Sequence, residues 1–287
     1  MAQKAPGQAH REGMTLAQLF RKFPDDETAE KWFADQRWGD TPACPHCGST
    51  NVLSGAKHPN QPYRCREKQC GKRFSVKVGT PMQDSNVGYQ TWAIALYLLV
   101  TNLKGVSSMK LHRDLGITQK TAWHLAHRMR EGFAVTLIGK QMSGLVEVDE
   151  SYFGGLEKNK HKSRRLNAGH GPVGKTPVAG MKDRVSNQIA AKAVPETKKS
   201  TLQKHLAEHV PPDVTVFSDE SYAYEGLLNL ESVKHSIGEY VRGQVHINGM
   251  ESFWSMMKRG YHGTYHKMSP KHLDRCVGEF SGRYNIR

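Results

Sequence analysis

Leu145-Val-Glu-Val-Asp149-Glu-Ser-Tyr-Phe-Gly-Gly155 is the stretch on which the reading of the chain turns. Leu145 to Val148 has the apolar pattern of a buried strand, an aspartate stands at its end, and a glycine pair follows as a turn. The pattern returns at Val214-Thr-Val-Phe-Ser-Asp219, 70 residues after Asp149. A third carboxylate, Glu251, lies 32 residues past Asp219 within His246-Ile-Asn-Gly-Met-Glu-Ser-Phe-Trp-Ser-Met-Met-Lys258, in the first turn of a predicted helix. Around them, Pro177–Met181 and Gln188–Val194 read as strands, Ser200–His209 as a helix, and residues from about Gly249 onward as one more helical stretch. Strands and helices in this order predict an α/β or α+β domain over residues 142–287. Each carboxylate alone also has a plainer reading. Strand-end aspartates form turns, and Asn248-x-x-Glu251 is the spacing of a capping box with Asn248 as N-cap.

Upstream, Cys44-Pro-His-Cys47 and Cys65-x4-Cys70 form two knuckles with Gly48 and Gly71 as their turns. Four thiolates so spaced predict one tetrahedral, structural zinc in a ribbon over residues 40–82, whose strands include Tyr63–Cys65 and Arg73–Val76. His46 and His58 are nearby alternatives as ligands, His46 being more of a bystander inside its knuckle. Residues 1–39 predict two short helices, one capped by Thr15 and one by Asp25 or Asp26.

Residues 85–138 predict a helix-turn-helix. Leu111 and Leu115 share a helix face, Gly116 turns the chain, and Thr118 caps a second helix that buries Ala122, Leu125, Ala126 and Met129. Gln119, Lys120, His124, His127 and Arg128 are then left for solvent or phosphate. Two amphipathic helices packed inside a larger domain would show the same pattern, so the charge balance weighs in. Lys and Arg total 41 against 27 Asp and Glu, a net charge of +14. That excess favours a polyanion such as double-stranded DNA, because each neutralised phosphate releases counterions. No basic amphipathic helix or lipidation signal points to a membrane, and the apolar run Ala93–Val100 is too short to span one. The polar Met1–Gly13 lacks a signal-peptide core, and clustered cysteines do not match a secreted disulfide framework. A reducing, cytoplasmic and nucleoid-associated setting is expected. Cys276 falls in an apolar helical pattern as an unpaired thiol.

Three blocks, Val-Asp149-Glu-Ser-Tyr-Phe-Gly-Gly, Asn248-Gly-Met-Glu-Ser-Phe-Trp and Arg259-Gly-Tyr-His-Gly-Thr-Tyr-His266, resemble DDE transposases of bacterial insertion sequences in the ISXO-like group, which carry a zinc ribbon and helix-turn-helix upstream. The resemblance runs from about Thr15 to Arg287. It implies a multidomain α+β protein with an RNase H-like catalytic domain and Asp149, Asp219 and Glu251 as its acidic triad. Asn248 is the alternative third ligand. The implied activity is DNA cleavage and strand transfer at element ends and target, with a homodimer or higher assembly on DNA. Two Mg²⁺ or Mn²⁺ ions would serve it, one activating the attacking oxygen and one stabilising the leaving oxygen. Lys258, two helical turns beyond Glu251, and its neighbour Arg259 are then placed to touch a DNA phosphate. Glu147 shares the strand face of Asp149, whereas Glu150 and Glu220 should point away. The stretch Lys158–Lys182 has no acidic residue. Its Arg164, Arg165 and lysines, with Gly169, Gly171 and Gly174, read as a mobile loop that orders on DNA. Two other readings stay open: a DNA-binding regulator with a dead catalytic domain, which the abrupt end at Arg283–Arg287 keeps alive, and a nuclease that cuts without joining.

Overall fold

The computed structural model describes residues 13–58, 60–134, 141–166, 171–219, 222–233 and 241–286. The polar start of the chain, Gly169 and Glu220 therefore lie outside the described residues. The chain divides into two compact units, one up to Leu98 and one from Leu99 onward.

In the first unit, helix α1 (Leu16–Lys22) starts at Thr15, whose hydroxyl accepts the Gln18 N–H while the Gln18 side chain reaches back to the Thr15 N–H. Helix α2 (Asp26–Trp38) is capped by the Asp25 carboxylate. Three short antiparallel strands follow, β1 (Val52–Leu53), β2 (Tyr63–Cys65) and β3 (Arg73–Phe74), in the order β1-β2-β3. They are too small to bury a core, and what lies between them is Cys44, Cys65 and Phe74, with Trp38 and Tyr63 packed alongside. Helix α3 (Tyr89–Thr101) begins in this unit and ends in the next.

The second unit begins with α4 (Ser108–Leu115) and α5 (Gln119–Ala134). Ser107 caps α4, and Gly116 ends it at φ +64, a left-handed turn that a Cβ would strain. Leu111 packs fully inside, as do Ala122, Leu125, Ala126 and Met129 of α5. Five strands then build one sheet in the order β6-β5-β4-β7-β8. They are β4 (Val146–Phe153), β5 (Thr176–Asp183), β6 (Ile189–Ala193), β7 (Val216–Ser218) and β8 (Leu230–Ser232), with α6 (Lys199–Ala207) between β6 and β7. The first three form an antiparallel meander, while β7 and β8 run parallel to β4 on its other side. Side chains alternate across the sheet. Val146, Val148, Ala179 and Met181 pack with α6 on one face. Phe153, Val178 and Ile189 meet Met250, Phe253 and Phe280 of α7 (Asn248–Gly260) and α8 (Pro270–Asn285) on the other.

Two expectations are corrected here. The strand carrying Asp149 does not end there. Glu150 to Phe153 stay paired with Ala179 to Thr176, because the long β5 gives them ladder partners and Tyr152 and Phe153 favour extended backbone. The expected helical C-terminal stretch is present and divides into two helices. After α7 the chain widens into a π-helical turn, Tyr261–Tyr265, and reverses at His266, φ +57, before Pro270 opens α8. The basic stretch after Lys158 is a loop only in part: residues 176–182 belong to β5. Before them, two 3₁₀ turns (Glu157–Asn159 and Lys162–Arg164) are tied together by Arg165, which donates to the carbonyls of Lys158 and Lys160.

Candidate active site

The parallel pairing of β4 and β7 sets Val146 level with Val216 and Glu147 level with Phe217. Two residues on along each chain come Asp149, in mid-strand, and Asp219, just past the end of β7. The register therefore brings these aspartates level on strands roughly 4.8 Å apart. Next to Asp149 on the antiparallel side stands Gly180. A Cβ there would lie 2.5 Å from Met250 Cε and 2.7 Å from the Trp254 ring, so α7 crosses the sheet closely because this position carries no side chain. That crossing brings Glu251, in the first turn of α7, to the cleft that Asp149 lines. The cleft measures about 540 Å³, and Lys258, Arg259 and His262 form its basic wall.

Burial, and then the charges of Asp219, Glu150 and Glu251, push the Asp149 carboxyl up to about 8, although the Glu150 N–H donates to it at 2.8 Å. Crowded carboxylates of this kind are the donor chemistry of a hard divalent cation, which relieves their repulsion. Glu150 sends its carboxylate toward the α6 face, where it accepts from Tyr224 Oη. Its own carboxyl is raised to about 7, by burial against that hydrogen bond and by the charge of Asp219.

Glu147 holds the three elements together. Only 2% exposed, it accepts the Met250 N–H at 2.9 Å and Arg184 Nε at 2.7 Å. Arg184 also donates to the carbonyls of Gln244 and His246, both at 2.6 Å, and lies 4.5 Å from the Phe217 ring centroid. One buried ion pair thus joins β4, β7 and the start of α7, the three segments that carry Asp149, Asp219 and Glu251. This corrects the capping-box alternative. Asn248 is the first residue of α7 and makes no capping bond, Ile247 holds the N-cap position, and the free N–H of Met250 is satisfied by Glu147 from another strand. Glu147 was legible only as a face-mate of Asp149. Arg184 and Tyr224 had no sequence signal, since their partners are 37 and 74 positions away.

Lys120, His124 and Arg128 are exposed along one stripe of α5, and Arg164 is exposed on its loop, where Arg165 is half-buried. His127 departs from expectation. It is buried, because its ring packs at a tilt between Trp123 at 4.1 Å and His272 of α8 at 4.8 Å instead of facing solvent.

In the first unit Cys44, Cys47, Cys65 and Cys70 bring their sulfurs within 4.8 Å of one another, with 3.8 Å between Cys44 and Cys70 and 3.6 Å between Cys47 and Cys65. Bonds of 2.3 Å to a tetrahedral zinc put sulfurs about 3.8 Å apart, so the cluster fits the ion with little movement. None of the four is in a disulfide. The Glu67 N–H lowers the Cys65 thiol, but burial and the three neighbouring sulfurs prevail and push it up to about 12. Such a group cannot ionise together without a cation. Gly48 and Gly71 turn the knuckles at φ +77 and +56, and His46 and His58 are not part of the cluster.

This is a chain with a zinc ribbon followed by a carboxylate-bearing mixed sheet, and comparison with known proteins agrees. The profile of the ISXO2-like transposase domain matches residues 141–285, and that of the transposase zinc-ribbon domain matches residues 24–73. The chain belongs to the ISXO2-like transposase family. It is 30% identical over 256 residues, 83% of this chain and 84% of the other, to an uncharacterized protein in transposable element ISH50 of Halobacterium salinarum. A chain from a simian T-cell lymphotropic virus intasome in complex with PP2A regulatory subunit B56 gamma aligns over 67% of this chain and 65% of that chain, with 13% identity and a TM-score of 0.29, too low to bear on the argument. Among the described residues no helix is long and apolar enough to cross a membrane.

Proposed function

We propose that this chain cuts and joins DNA at the ends of a mobile element, using an RNase H-like domain over residues 142–287 with Asp149, Asp219 and Glu251 as ligands for two Mg²⁺ or Mn²⁺ ions. The observation that carries the reading is the parallel β4–β7 register, which sets two aspartates level beside a helix bearing a third carboxylate. A three-strand meander continued by two parallel strands, with helices on both faces, supports the RNase H-like assignment. The bound ions would supply Lewis-acid activation of the attacking and leaving oxygens. Asp149 and Asp219 hold their short carboxylates on adjacent strands with little slack. Glu251, on a helix clamped through Glu147, closes the donor set from the other side. Lys258 and Arg259 would grip the phosphate backbone beside the reacting bond, and His262 lies on the same wall.

DNA capture falls to the remaining parts: a ribbon over 40–82 and a helix-turn-helix over 85–138, in which α5 offers Lys120, His124 and Arg128 to phosphates. Arg164 and Arg165 add a basic loop, and the net charge of +14 supports all of these contacts. Holding both element ends at once, one copy to each, makes a homodimer or higher assembly on DNA part of the same proposal. The test is a strand-transfer assay with the DNA flanking the gene. Joined product is expected with Mg²⁺ or Mn²⁺ and none with EDTA; tight end binding without any cleavage under either metal would leave a regulator instead.

A further inference from the structure

The helix on the opposite face of the sheet from α7 ends in a cluster that the proposed reaction leaves unused. Its last turn reads His205-Leu-Ala-Glu208-His209. His205 and His209 are four positions apart, with Glu208 three from His205. Such spacing puts side chains on one helix face, and paired histidines chelate zinc at it. Glu208, the C-cap, keeps helical backbone, and the His209 N–H donates to the Leu206 carbonyl at 3.0 Å, so the turn is complete through His209. None of the three lines the carboxylate cleft.

One nitrogen from each histidine and one oxygen of Glu208 lie within 4.8 Å of one another. His205 Nδ1 and Glu208 Oε2 are 3.5 Å apart, and bonds of about 2.0 Å to a tetrahedral ion put its ligand atoms about 3.3 Å apart. The three differ in freedom. His205 is 6% exposed and sits on a helix that packs Leu202 and Leu206 into the apolar cluster of the sheet. Its ring is thus the fixed ligand, while the half-buried His209 and the exposed Glu208 can turn to close the remaining gaps. Burial, ahead of any neighbouring charge, holds the His205 imidazole below its ordinary value, which leaves a lone pair at neutral pH. The C-terminal end of α6 adds the partial negative charge of its last carbonyls. The opposing charge is Lys192 of β6, which acts on both His205 and Glu208 but is exposed on a flexible stem that can withdraw.

We propose that His205, Glu208 and His209 form a second metal site, for a borderline divalent ion of the zinc class. Two imidazoles and a carboxylate suit such an ion, whereas Mg²⁺ takes oxygen ligands. Three protein ligands also leave a position for water or for a donor from another molecule, unlike the closed four-thiolate site. The site stands whether or not the chain joins DNA.

Titration of the full chain, its ribbon already zinc-loaded, with Co²⁺ tests the site, in excess Mg²⁺ to fill any oxygen-only sites. One Co²⁺ per chain is expected, with weak d–d absorption and no thiolate charge-transfer band, and Zn²⁺ should displace it. His209→Ala should weaken binding about tenfold or more and Glu208→Gln several-fold, because each removes one of three ligands. Lys192→Ala should tighten it, an effect that a merely structural hydrogen bond between His205 and Glu208 would not produce. Because Glu208 is exposed, Glu208→Gln keeps the test valid if His209→Ala unfolds. No saturable Co²⁺ binding, binding that both ligand variants keep at wild-type affinity, or Co²⁺ bound only with a thiolate band overturns the proposal.

Discussion

The ribbon and the carboxylate cleft are both built to gather like-charged ligands, but they are held in opposite ways. The four thiols come from two knuckles whose outer members, Cys44 and Cys70, are 26 positions apart, and the sulfurs lie at the centre of their small unit. Cys44 and Cys65 are 2% and 1% exposed and pack with Phe74, so two of the ligands are themselves part of the ribbon's core. The carboxylates span more than a hundred positions and sit on the central strand, just past the end of its neighbour and on the covering helix of a sheet that already buries two apolar clusters. The zinc is therefore part of the fold in the ribbon, whereas the divalent ions proposed for the cleft would join a fold that is already complete.

The sharpest way to break that contrast is Cys65→Ser. Structural zinc contributes on the order of 10 kcal/mol, so the variant should lose zinc and expose residues 44–74 to protease while the sheet unit keeps its own unfolding transition. Retained zinc with an intact ribbon would refute the four-thiolate site. Asp149→Asn should do the reverse. Joining should fall by on the order of 10³-fold or more, with folding unharmed, since the change removes a charge that burial and three carboxylates already disfavour. Measurable joining at near wild-type rate would remove Asp149 from the site.

Arg184→Ala tests whether the cleft depends on its clamp. Stranding the buried Glu147 should cost roughly 3–5 kcal/mol in denaturant unfolding, and joining should drop although no carboxylate ligand has changed. Full activity in the folded variant would show that α7 is positioned without it. A smaller effect is expected from His127. Its folded pKa lies below the unfolded one, so the unfolded chain takes up the proton first and stability is lost as pH falls from about 6.5 toward about 3. Comparing unfolding at pH 7.5 and 5, His127→Phe should lose about 2 kcal/mol less than wild type. Equal losses would mean the imidazole is not held neutral by its surroundings. Smallest of all, Asn248→Ala should change stability by only a few tenths of a kcal/mol, because this residue caps nothing. If it also abolishes joining while Glu251→Gln retains some, Asn248 is the third ligand.

Much of this was legible along the chain wherever cause and effect are neighbours. Thr15 with Gln18, Asp25 and Gly116 mark helix ends through contacts within a few residues. The cysteine knuckles state their metal through spacing alone, and the apolar runs around Asp149 and Asp219 locate two strands of the sheet. Misreadings began where a partner was remote. Glu150 to Phe153 look like a turn leading into glycines until β5 supplies their ladder. Asn248 has the spacing of a cap, but Glu147 reaches the helix start first. His127 lies on the polar side of an isolated α5 and becomes interior only when α8 covers it.

The sequence by itself determined the candidate side chains, their order and the elements that carry them, because helix caps, strand alternation and knuckle spacing are properties of a few consecutive residues. Only the tertiary structure decided which of these groups meet. The level placement of Asp149 and Asp219 follows from strand register, the approach of Glu251 from the missing side chain at Gly180, and the burial of His127 from the packing of α8 on α5. Register, close approach and burial are relations between segments far apart in the chain, and no local pattern encodes them.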